Sequence, residues 1–291
     1  MHLVVGATGL VGGAVTRQLR RQACDLRALV RGGASHQAAT SLAQAGVDVV
    51  AGDLGDPLAL AGACRGIDTI VCTATSMPAA GGDALRRVDQ DGVLGLIAAA
   101  ERAGVRRFVY TSFSGNIRID SPLTRAKRAC ETRLAESPMQ SVILQPSFFM
   151  EVWLGPHLGF DAARAHARIY GDGTAGVSYV SALDVAAFAA SAATAPGELR
   201  EVLQIGGPEP LTQLGAVATF ERKLGRSFSL EHVPVEALEA QHQSSDPLQR
   251  TFAALMMAYA IGDNVVHSRQ TADRYGVKLR TVEDFVAGFL Q

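Results

Sequence analysis

Three glycines near the start of the chain have the spacing of a turn that binds a diphosphate. Residues 4–12 read Val-Val-Gly-Ala-Thr-Gly-Leu-Val-Gly and directly follow a short apolar run. In such a turn Gly6 permits a tight bend, Gly9 lets backbone approach a pyrophosphate, and Gly12 lets a helix pack closely on a strand. The unpaired N–H groups and the positive dipole end of that helix would face the phosphates. The motif predicts a dinucleotide site, with an empty structural turn as the alternative, and its binding residues would be Gly6, Thr8, Gly9, Leu10, Val11 and Gly12.

The end of the second predicted strand indicates which dinucleotide would bind. Residues 29–33 read Leu-Val-Arg-Gly-Gly, where an NAD site usually has an Asp or Glu that accepts from the ribose 2′-hydroxyl. Arg31 could instead bind a 2′-phosphate, which a guanidinium contacts with two parallel hydrogen bonds. We therefore predict NADP (NADPH) as the cofactor. A solvated surface arginine is the alternative.

Two further strand ends would complete the cofactor edge. The third strand ends in Gly52-Asp53-Leu54, and the Asp53 carboxylate could accept from the adenine amine. It could equally cap the helix that begins near Pro57. Thr73, Ala74 and Thr75 follow the fourth strand, where their small side chains leave room for a cofactor ribose. We include Asp53, Leu54 and these three residues among the cofactor-binding residues.

The elements that must position these residues alternate along the N-terminal half. The predicted strands are 2–5, 25–30, 48–51, 69–73, 107–111 and 141–145, and the predicted helices are 10–22, 36–45, 57–64, 85–103 and 122–137. Strand–helix alternation at this spacing requires crossover connections and so a mainly parallel sheet. Several strands are apolar at successive positions, as expected when helices cover both faces. The pattern predicts an α/β fold with a doubly wound parallel sheet of the Rossmann type.

The pattern is less regular in the C-terminal half. A strand-like run at 202–205 is followed by a helix at 214–224 and a helical tail, in which Thr281 would cap a final short helix. We predict an NADP-binding Rossmann domain over 1–150 with a return segment at 181–206. A smaller, partly helical substrate domain would comprise 151–180 and 207–291.

Composition excludes several classes of protein. The 291 residues carry 27 Lys plus Arg and 28 Asp plus Glu, a balance that argues against a nucleic-acid or membrane-surface binder. No apolar run approaches the ~20 residues that span a bilayer, and no segment resembles a signal peptide. The four cysteines and seven histidines show no metal-ligand spacing, so no metal is expected. We expect a cytoplasmic protein with reduced thiols.

Taken together, these motifs resemble the NmrA-like branch of the atypical short-chain dehydrogenases/reductases. Besides the glycine turn, the resemblance is carried by Val-Arg at 30–31, Gly-Asp-Leu at 52–54, Val-Asp-Gln-Asp-Gly at 88–92, Phe-Val-Tyr-Thr-Ser at 108–112, Leu-Gln-Pro-Ser-Phe-Phe-Met-Glu at 144–151 and Tyr-Val-Ser-Ala-Leu-Asp-Val-Ala at 179–186. It covers about residues 1–235 and implies a Rossmann-type sheet, a small substrate domain and NADP binding. The branch is similar both to reductases of quinones and phenylpropanoids and to redox-sensing regulators without catalysis, so it implies no single activity.

The wider superfamily uses Tyr-x-x-x-Lys on the helix after the fifth strand, where one helical turn puts both side chains on one face. The chain has only three lysines, and the residues four positions before them are Leu123, Thr219 and Arg274, so the motif is absent. Lys127 alone falls on the expected helix. It could contact the nicotinamide ribose or donate to a substrate oxygen; a lysine on the surface of an Arg-rich helix is the alternative.

The missing tyrosine argues against ordinary carbonyl reduction. Ser112 or Thr111 remains as a hydroxyl that could polarise an oxygen, and we name Lys127 and Ser112 as the candidate catalytic residues. A quinone needs less help, because hydride transfer yields a delocalised anion that water can protonate. A quinone-like or enone-like acceptor is therefore favoured over a simple ketone.

The aromatic segment 148–153 follows the sixth strand and would wall the nicotinamide side of the crevice. We include Pro146 and Phe148 among the cofactor-binding residues, with packing in a domain core as the alternative for Phe148. Tyr259 and its neighbours Phe252, Met256 and Met257 could close over a flat, poorly charged ligand or could equally be core residues.

Two hypotheses of function follow. The first is an NADPH-dependent oxidoreductase that transfers hydride to a small apolar acceptor such as a quinone or enone. The second is a non-catalytic NADP(H)-binding redox sensor that acts on a protein partner.

Overall fold

The computed structural model describes residues 1–32, 36–77 and 83–290. The chain forms two compact units. Unit 1 comprises Met1–Ser112, Arg125–Leu144 and Val185–Leu203, and unit 2 comprises Phe113–Thr124, Gln145–Asp184 and Gln204–Gln291. The segment 113–124 belongs to unit 2, an excursion that the predicted division of the chain does not contain.

The strands of the described ranges are β1 (His2–Val5), β2 (Leu26–Val30), β3 (Asp48–Ala51), β4 (Thr69–Cys72), β5 (Arg107–Thr111), β6 (Gln140–Pro146), β7 (Phe160–Asp161), β8 (His166–Tyr170), β9 (Gly176–Val177), β10 (Glu201–Ile205), β11 (Leu211–Thr212) and β12 (Ser229–Val233). Seven of them form one sheet in the order β10-β6-β5-β4-β1-β2-β3. The pairs from β6 across to β3 are parallel. Unit 2 holds two smaller sheets, β12-β8-β7 and β11-β9.

The α-helices of the same ranges are α1 (Leu10–Arg21), α2 (His36–Gln44), α3 (Pro57–Cys64), α4 (Val93–Arg102), α5 (Pro122–Ala135), α6 (Met150–Trp153), α7 (Ala182–Thr194), α8 (Gln213–Leu224), α9 (Val235–His242), α10 (Pro247–Ile261), α11 (Ser268–Tyr275) and α12 (Val282–Ala287). A π-helix spans Leu85–Gly92, and 3₁₀ helices span Pro156–Leu158 and Gly288–Leu290. The predicted cap of the last helix is confirmed, since Thr281 and Asp284 each accept the other's backbone N–H in a capping box.

The sheet of unit 1 is covered on both faces. Successive residues Leu3 and Val4 of β1 point to opposite faces, and both are fully buried. On one face, the side chains of α3 and α4 join those of β1, β4 and β5 in a single apolar cluster. The predicted α/β fold, a doubly wound parallel sheet of the Rossmann type, is confirmed.

The predicted helix at 85–103 differs from the observed one in its first half. It begins as the π-helix Leu85–Gly92 and becomes α-helical only at Val93. Gly92 lies so close to Leu54 that an added Cβ would be 2.7 Å from the Leu54 Cβ. The π-helix therefore ends directly against the segment that follows β3. Stretches of π-helix are frequent at functional sites.

A buried arginine joins β5 to the segment that follows α7. The Arg107 side chain is fully buried, and its guanidinium donates to Gln140 Oε1 and to the carbonyls of Ala192, Ala195 and Gly197. These acceptors lie 33 to 90 residues away in sequence. One charged group thus donates to several carbonyls, of which that of Ala192 is in a fully buried bond.

We predict that Arg107→Met costs about 3–5 kcal/mol of unfolding free energy, because several carbonyls lose a charged donor worth about 1.5–3 kcal/mol each. Arg106→Met is the matched control: it pairs with Asp68 and donates a longer bond to Gln140 Oε1, the Arg106 and Asp68 side chains are about half exposed, and such a pair is worth about 1 kcal/mol or less. Urea unfolding of the two variants measures the difference. Equal losses would contradict the proposed role of Arg107.

Candidate functional site

Parallel strands bring their carboxyl ends to one edge of the sheet. Val5 is paired with Leu29 of β2 on one side and with Cys72 of β4 on the other. The Thr73 N–H donates to the Val5 carbonyl at 2.9 Å. The predicted residues that follow β1 to β5 therefore share one edge of unit 1.

The glycine turn after β1 is fixed by close packing. Gly6 has φ +91°, a conformation that favours glycine. The Gly9 N–H donates to the Gly6 carbonyl at 2.9 Å, and α1 begins at the next residue. A Cβ on Gly12 would be 2.1 Å from the Gly6 oxygen, whereas a Cβ on Gly9 would meet only that oxygen, at 3.3 Å. The packing requires glycine at positions 6 and 12, whereas a Cβ on Gly9 would make a single tight contact.

The start of α1 is suited to an anion. The N-cap is Gly9, which has no side chain to bind the first N–H groups of the helix. The first turn contains no acidic residue. The Thr8 side chain is exposed, and Leu10 is 51% exposed. The first N–H groups of a helix have no partner within the helix and lie at its positive dipole end. A diphosphate would satisfy both conditions.

A cleft of about 920 Å³ within unit 1 opens beside the ends of β2, β3 and β4. Of the predicted residues, Arg31, Asp53, Leu54 and Thr75 line it. Arg31 is exposed. The cleft continues from the end of the π-helix along α4, where Gly92, Gly95 and Ala98 line it.

The carboxylates beside this cleft have distinct partners. Asp53 Oδ1 accepts the Gly55 N–H at 2.8 Å. The cap of α3 is Asp56, whose Oδ1 accepts from the N–H groups of Leu58 and Ala59. The alternative in which Asp53 caps this helix is therefore wrong, and the adenine role of Asp53 stays a prediction.

Lys127 is buried in an ion pair. Its side chain on α5 is 6% exposed, and Nζ lies 3.4 Å from Asp89 Oδ1 and 5.2 Å from the centre of the Tyr110 ring. The alternative of a surface lysine is wrong. Asp89 is fully buried in the π-helix, and its other oxygen accepts from the Ser76 N–H at 2.9 Å and the Ser76 hydroxyl at 2.6 Å. One carboxylate thus binds both the segment after β4 and the lysine of α5.

Ser112 is engaged with a carboxylate that the sequence reasoning missed. Its hydroxyl donates to Glu131 Oε1 at 2.5 Å, and Arg128 donates to the same oxygen at 2.6 Å. Glu131 stands four residues after Lys127, and this helical spacing could have identified it. The Ser112 proton points to Glu131, so Ser112 must release that bond before it can donate to a substrate.

The neighbouring phenol does not replace the missing tyrosine. Burial raises the pKa of Tyr110 well above its usual value. Burial also raises the pKa of Cys72 to about 12 and that of Cys130 to about 11. All three groups hold their protons at neutral pH and are poor proton donors to a reaction.

The predicted residues at the end of β6 and after it belong to unit 2. Pro146 ends β6. Phe148 is 3% exposed, and its ring centre lies 4.7 Å from that of Trp153 and 5.1 Å from that of Tyr259. All three rings are members of the apolar core of unit 2, which agrees with the alternative of core packing. The cofactor role of Pro146 and Phe148 stays a prediction.

Across the described ranges, no three His, Cys, Asp or Glu side chains are grouped so as to hold a metal ion. In the same part of the chain, no helix combines the length and apolar character needed to cross a membrane.

The chain belongs to the NmrA-like family, whose model matches residues 2–286. It is 33% identical to the NAD(P)H azoreductase of Xenophilus azovorans over 242 residues, which cover 81% of this chain and 78% of that protein. It is 34% identical to the (4-alkanoyl-5-oxo-2,5-dihydrofuran-3-yl)methyl phosphate reductase of Streptomyces griseus over 239 residues, or 81% of this chain and 78% of that protein.

Solved structures share the fold. The NADPH-dependent quinone oxidoreductase QOR2 of Escherichia coli, determined in complex with NADPH, aligns with a TM-score of 0.80 over the full length of both chains at 22% identity. At this identity the likeness concerns the fold.

We predict that alanine mainly lowers stability at one glycine of the turn and mainly weakens cofactor binding at another. Gly12→Ala should cost about 1–3 kcal/mol of stability or more, because its Cβ would overlap the Gly6 carbonyl. Gly9→Ala should change stability by less than about 1 kcal/mol, since Gly9 has φ −86°, but weaken NADPH binding at least about tenfold by shielding the N–H groups. Thermal unfolding and calorimetric titration measure the two effects. A Gly9→Ala variant that binds NADPH as tightly as the parent would refute the assignment.

We predict that Asp89→Asn costs about 3–5 kcal/mol of unfolding free energy, because it leaves the buried Lys127 ammonium without a counter-charge. Ser76→Ala, which removes only a hydroxyl bonded to the same carboxylate, should cost about 1–3 kcal/mol. The double variant Asp89→Asn/Lys127→Met should be more stable than the sum of its single changes implies. Urea unfolding of these three variants and of the single Lys127→Met variant gives the four free energies. Strict additivity of the two single changes would disprove the coupling.

Proposed function

We propose that the protein is an NADPH-dependent reductase that transfers hydride to a small, apolar, conjugated acceptor such as a quinone or an enone. The observation that carries this proposal is the pair of residues that α5 places one turn apart. This helix holds Lys127 buried beside Asp89 and has Leu123 one turn earlier, where the wider superfamily has its tyrosine.

The cofactor half of the proposal rests on the edge of unit 1. The N–H groups at the start of α1 would bind the pyrophosphate, and Gly9 has no side chain to obstruct its approach. Arg31 would bind the 2′-phosphate and Asp53 the adenine amine. Thr73, Ala74 and Thr75 would flank a ribose. NADPH bound in this way supplies the hydride.

Lys127 would donate to the hydroxyls of the nicotinamide ribose. Within the described residues, its ammonium meets only the Asp89 carboxylate at 3.4 Å and the face of the Tyr110 ring. An ammonium has three N–H donors, so donors are left for oxygen acceptors. Asp89 compensates the charge, which a buried lysine requires.

The proposed class of acceptor follows from the lack of a side chain placed to act as a general acid. Position 123 is a leucine, Tyr110 holds its proton, and the Ser112 hydroxyl donates to Glu131. An acceptor that keeps the added electrons by delocalisation can wait for a proton from water, whereas a simple ketone requires an acid in the transition state.

The relatives support this class of acceptor. One is named for azo compounds, and another for a substrate whose ring double bond is conjugated to a carbonyl. The structural neighbour is named for quinones. Each of these acceptors is conjugated.

The test is NADPH oxidation, followed by absorbance, with a panel of quinones, enones, azo dyes and simple ketones. We expect turnover of conjugated acceptors and none of simple ketones. Lys127→Met should lower kcat/KM at least about tenfold through the loss of a charged donor. Lys223→Met, which removes a lysine from an exposed pair with Glu283, should leave it within about twofold. Tight NADPH binding with no turnover of any acceptor would reject the reductase in favour of the NADP(H) sensor.

A further inference from the structure

The cleft of unit 1 carries more positive charge than one arginine supplies. Its lining includes Arg31, Arg87 and Arg102. Among the described residues, none of the three guanidiniums forms an ion pair with a carboxylate. Guanidiniums that line a cleft without an ion-pair partner can donate to an anionic ligand.

The acidic residues of the same lining are not ion-paired with these arginines, and each has another hydrogen-bond or ion-pair partner. Asp53 accepts the Gly55 N–H, and Asp56 caps α3. Asp91 lies 3.5 Å from Arg86, the neighbour of Arg87 in sequence. Arg86 therefore compensates a local carboxylate, while Arg87 does not.

Two of the three arginines lie near one turn at the end of β3. The Gly52 N–H donates to the Val30 carbonyl at 2.9 Å, which places Arg31 beside the segment 52–54. Gly92 also approaches this segment, since an added Cβ would lie 2.7 Å from Leu54 Cβ; within the π-helix the same Cβ would lie 2.9 Å from the Arg87 carbonyl oxygen. Arg31 follows the strand next to β3, and Arg87 lies one π-helical turn before Gly92, so both residues start near this turn.

Arg102 is placed differently. It ends α4 ten residues after Gly92, about 15 Å along the helix at 1.5 Å per residue. It lines the far end of the cleft and is too distant to share a ligand group with Arg31.

We infer that Arg31 and Arg87 together bind the 2′-phosphate of NADPH, one from the end of β2 and the other from the π-helix, and that Arg87 is a residue that determines specificity for NADPH over NADH. This inference rests on the proposed function. A phosphate monoester carries about −1.5 to −2 charges at pH 7 and three acceptor oxygens, which two guanidiniums satisfy better than one.

The experiment measures dissociation constants by calorimetry for NADPH, NADH, 2′,5′-ADP and 5′-AMP. The variants are Arg31→Ala, Arg87→Ala and two controls, Arg86→Ala and Arg102→Ala. Arg31→Ala and Arg87→Ala should each weaken NADPH and 2′,5′-ADP at least about tenfold and leave NADH and 5′-AMP within about twofold. The controls should leave the NADPH-to-NADH ratio unchanged. All four side chains are exposed, so thermal unfolding should be unaffected.

Three results would overturn the inference: no change in Arg87→Ala, an equal loss for NADPH and NADH, which would indicate stacking on adenine, or an equal effect of Arg86→Ala. Failure of the proposed function is separable. A parent protein that binds 2′,5′-ADP in an Arg87-dependent manner but reduces no acceptor would retain the inference and lose the reductase. A parent that binds neither NADPH nor 2′,5′-ADP would lose both.

Discussion

The close approach of α1 to β1 is the constraint on which the site depends. Gly12 stands against the Gly6 carbonyl with no room for a Cβ, so the helix starts directly at the edge of the sheet. This position aims the unpaired N–H groups and the positive end of α1 at the space above β1 and β4. Thr73 is bonded to Val5, and Arg31 and Asp53 follow the next strands, so the other candidate residues share the same edge.

A second interaction sets the chemistry. The buried pair of Lys127 and Asp89 links α5 to the π-helix, and Ser76 joins both to the end of β4. Neither charge is tolerable without the other in a buried environment. We propose that Lys127 has the ribose-binding role of the superfamily's lysine, while Leu123 stands where that superfamily has its tyrosine. Under the proposed function, the absence of that acid would favour acceptors that delocalise the added charge.

The sequence predicted the sheet well for a physical reason. Strands buried on both faces are runs of apolar residues bounded by polar turns, so the first six strands could be located within one or two residues at each end. Short strands such as β7 and β9, of two residues each, have no such signal. Hydrophobic periodicity also cannot separate a π-helix from an α-helix, so the change at Val93 was invisible.

The site was predictable where its chemistry is local. The glycine turn is recognisable from the spacing of its glycines. Lys127 could be identified because the chain has only three lysines and the other two lie outside the expected helix. The pairing of Lys127 with Asp89 joins residues that are distant in sequence, so no local pattern contains it. The cap of α3 was predictable in retrospect, because Asp56 immediately precedes Pro57, the residue favoured in the first helical position.

The central claim is that backbone amides at the start of α1 bind a diphosphate, and amide NMR tests it most directly. In ¹⁵N-labelled protein titrated with NADPH, the signals of Gly9, Leu10 and Val11 should shift in a saturable manner at one equivalent, and inorganic pyrophosphate should shift the same signals in the same direction. Signals from these three residues that stay in place while NADPH binds elsewhere, or while it does not bind at all, would contradict the account.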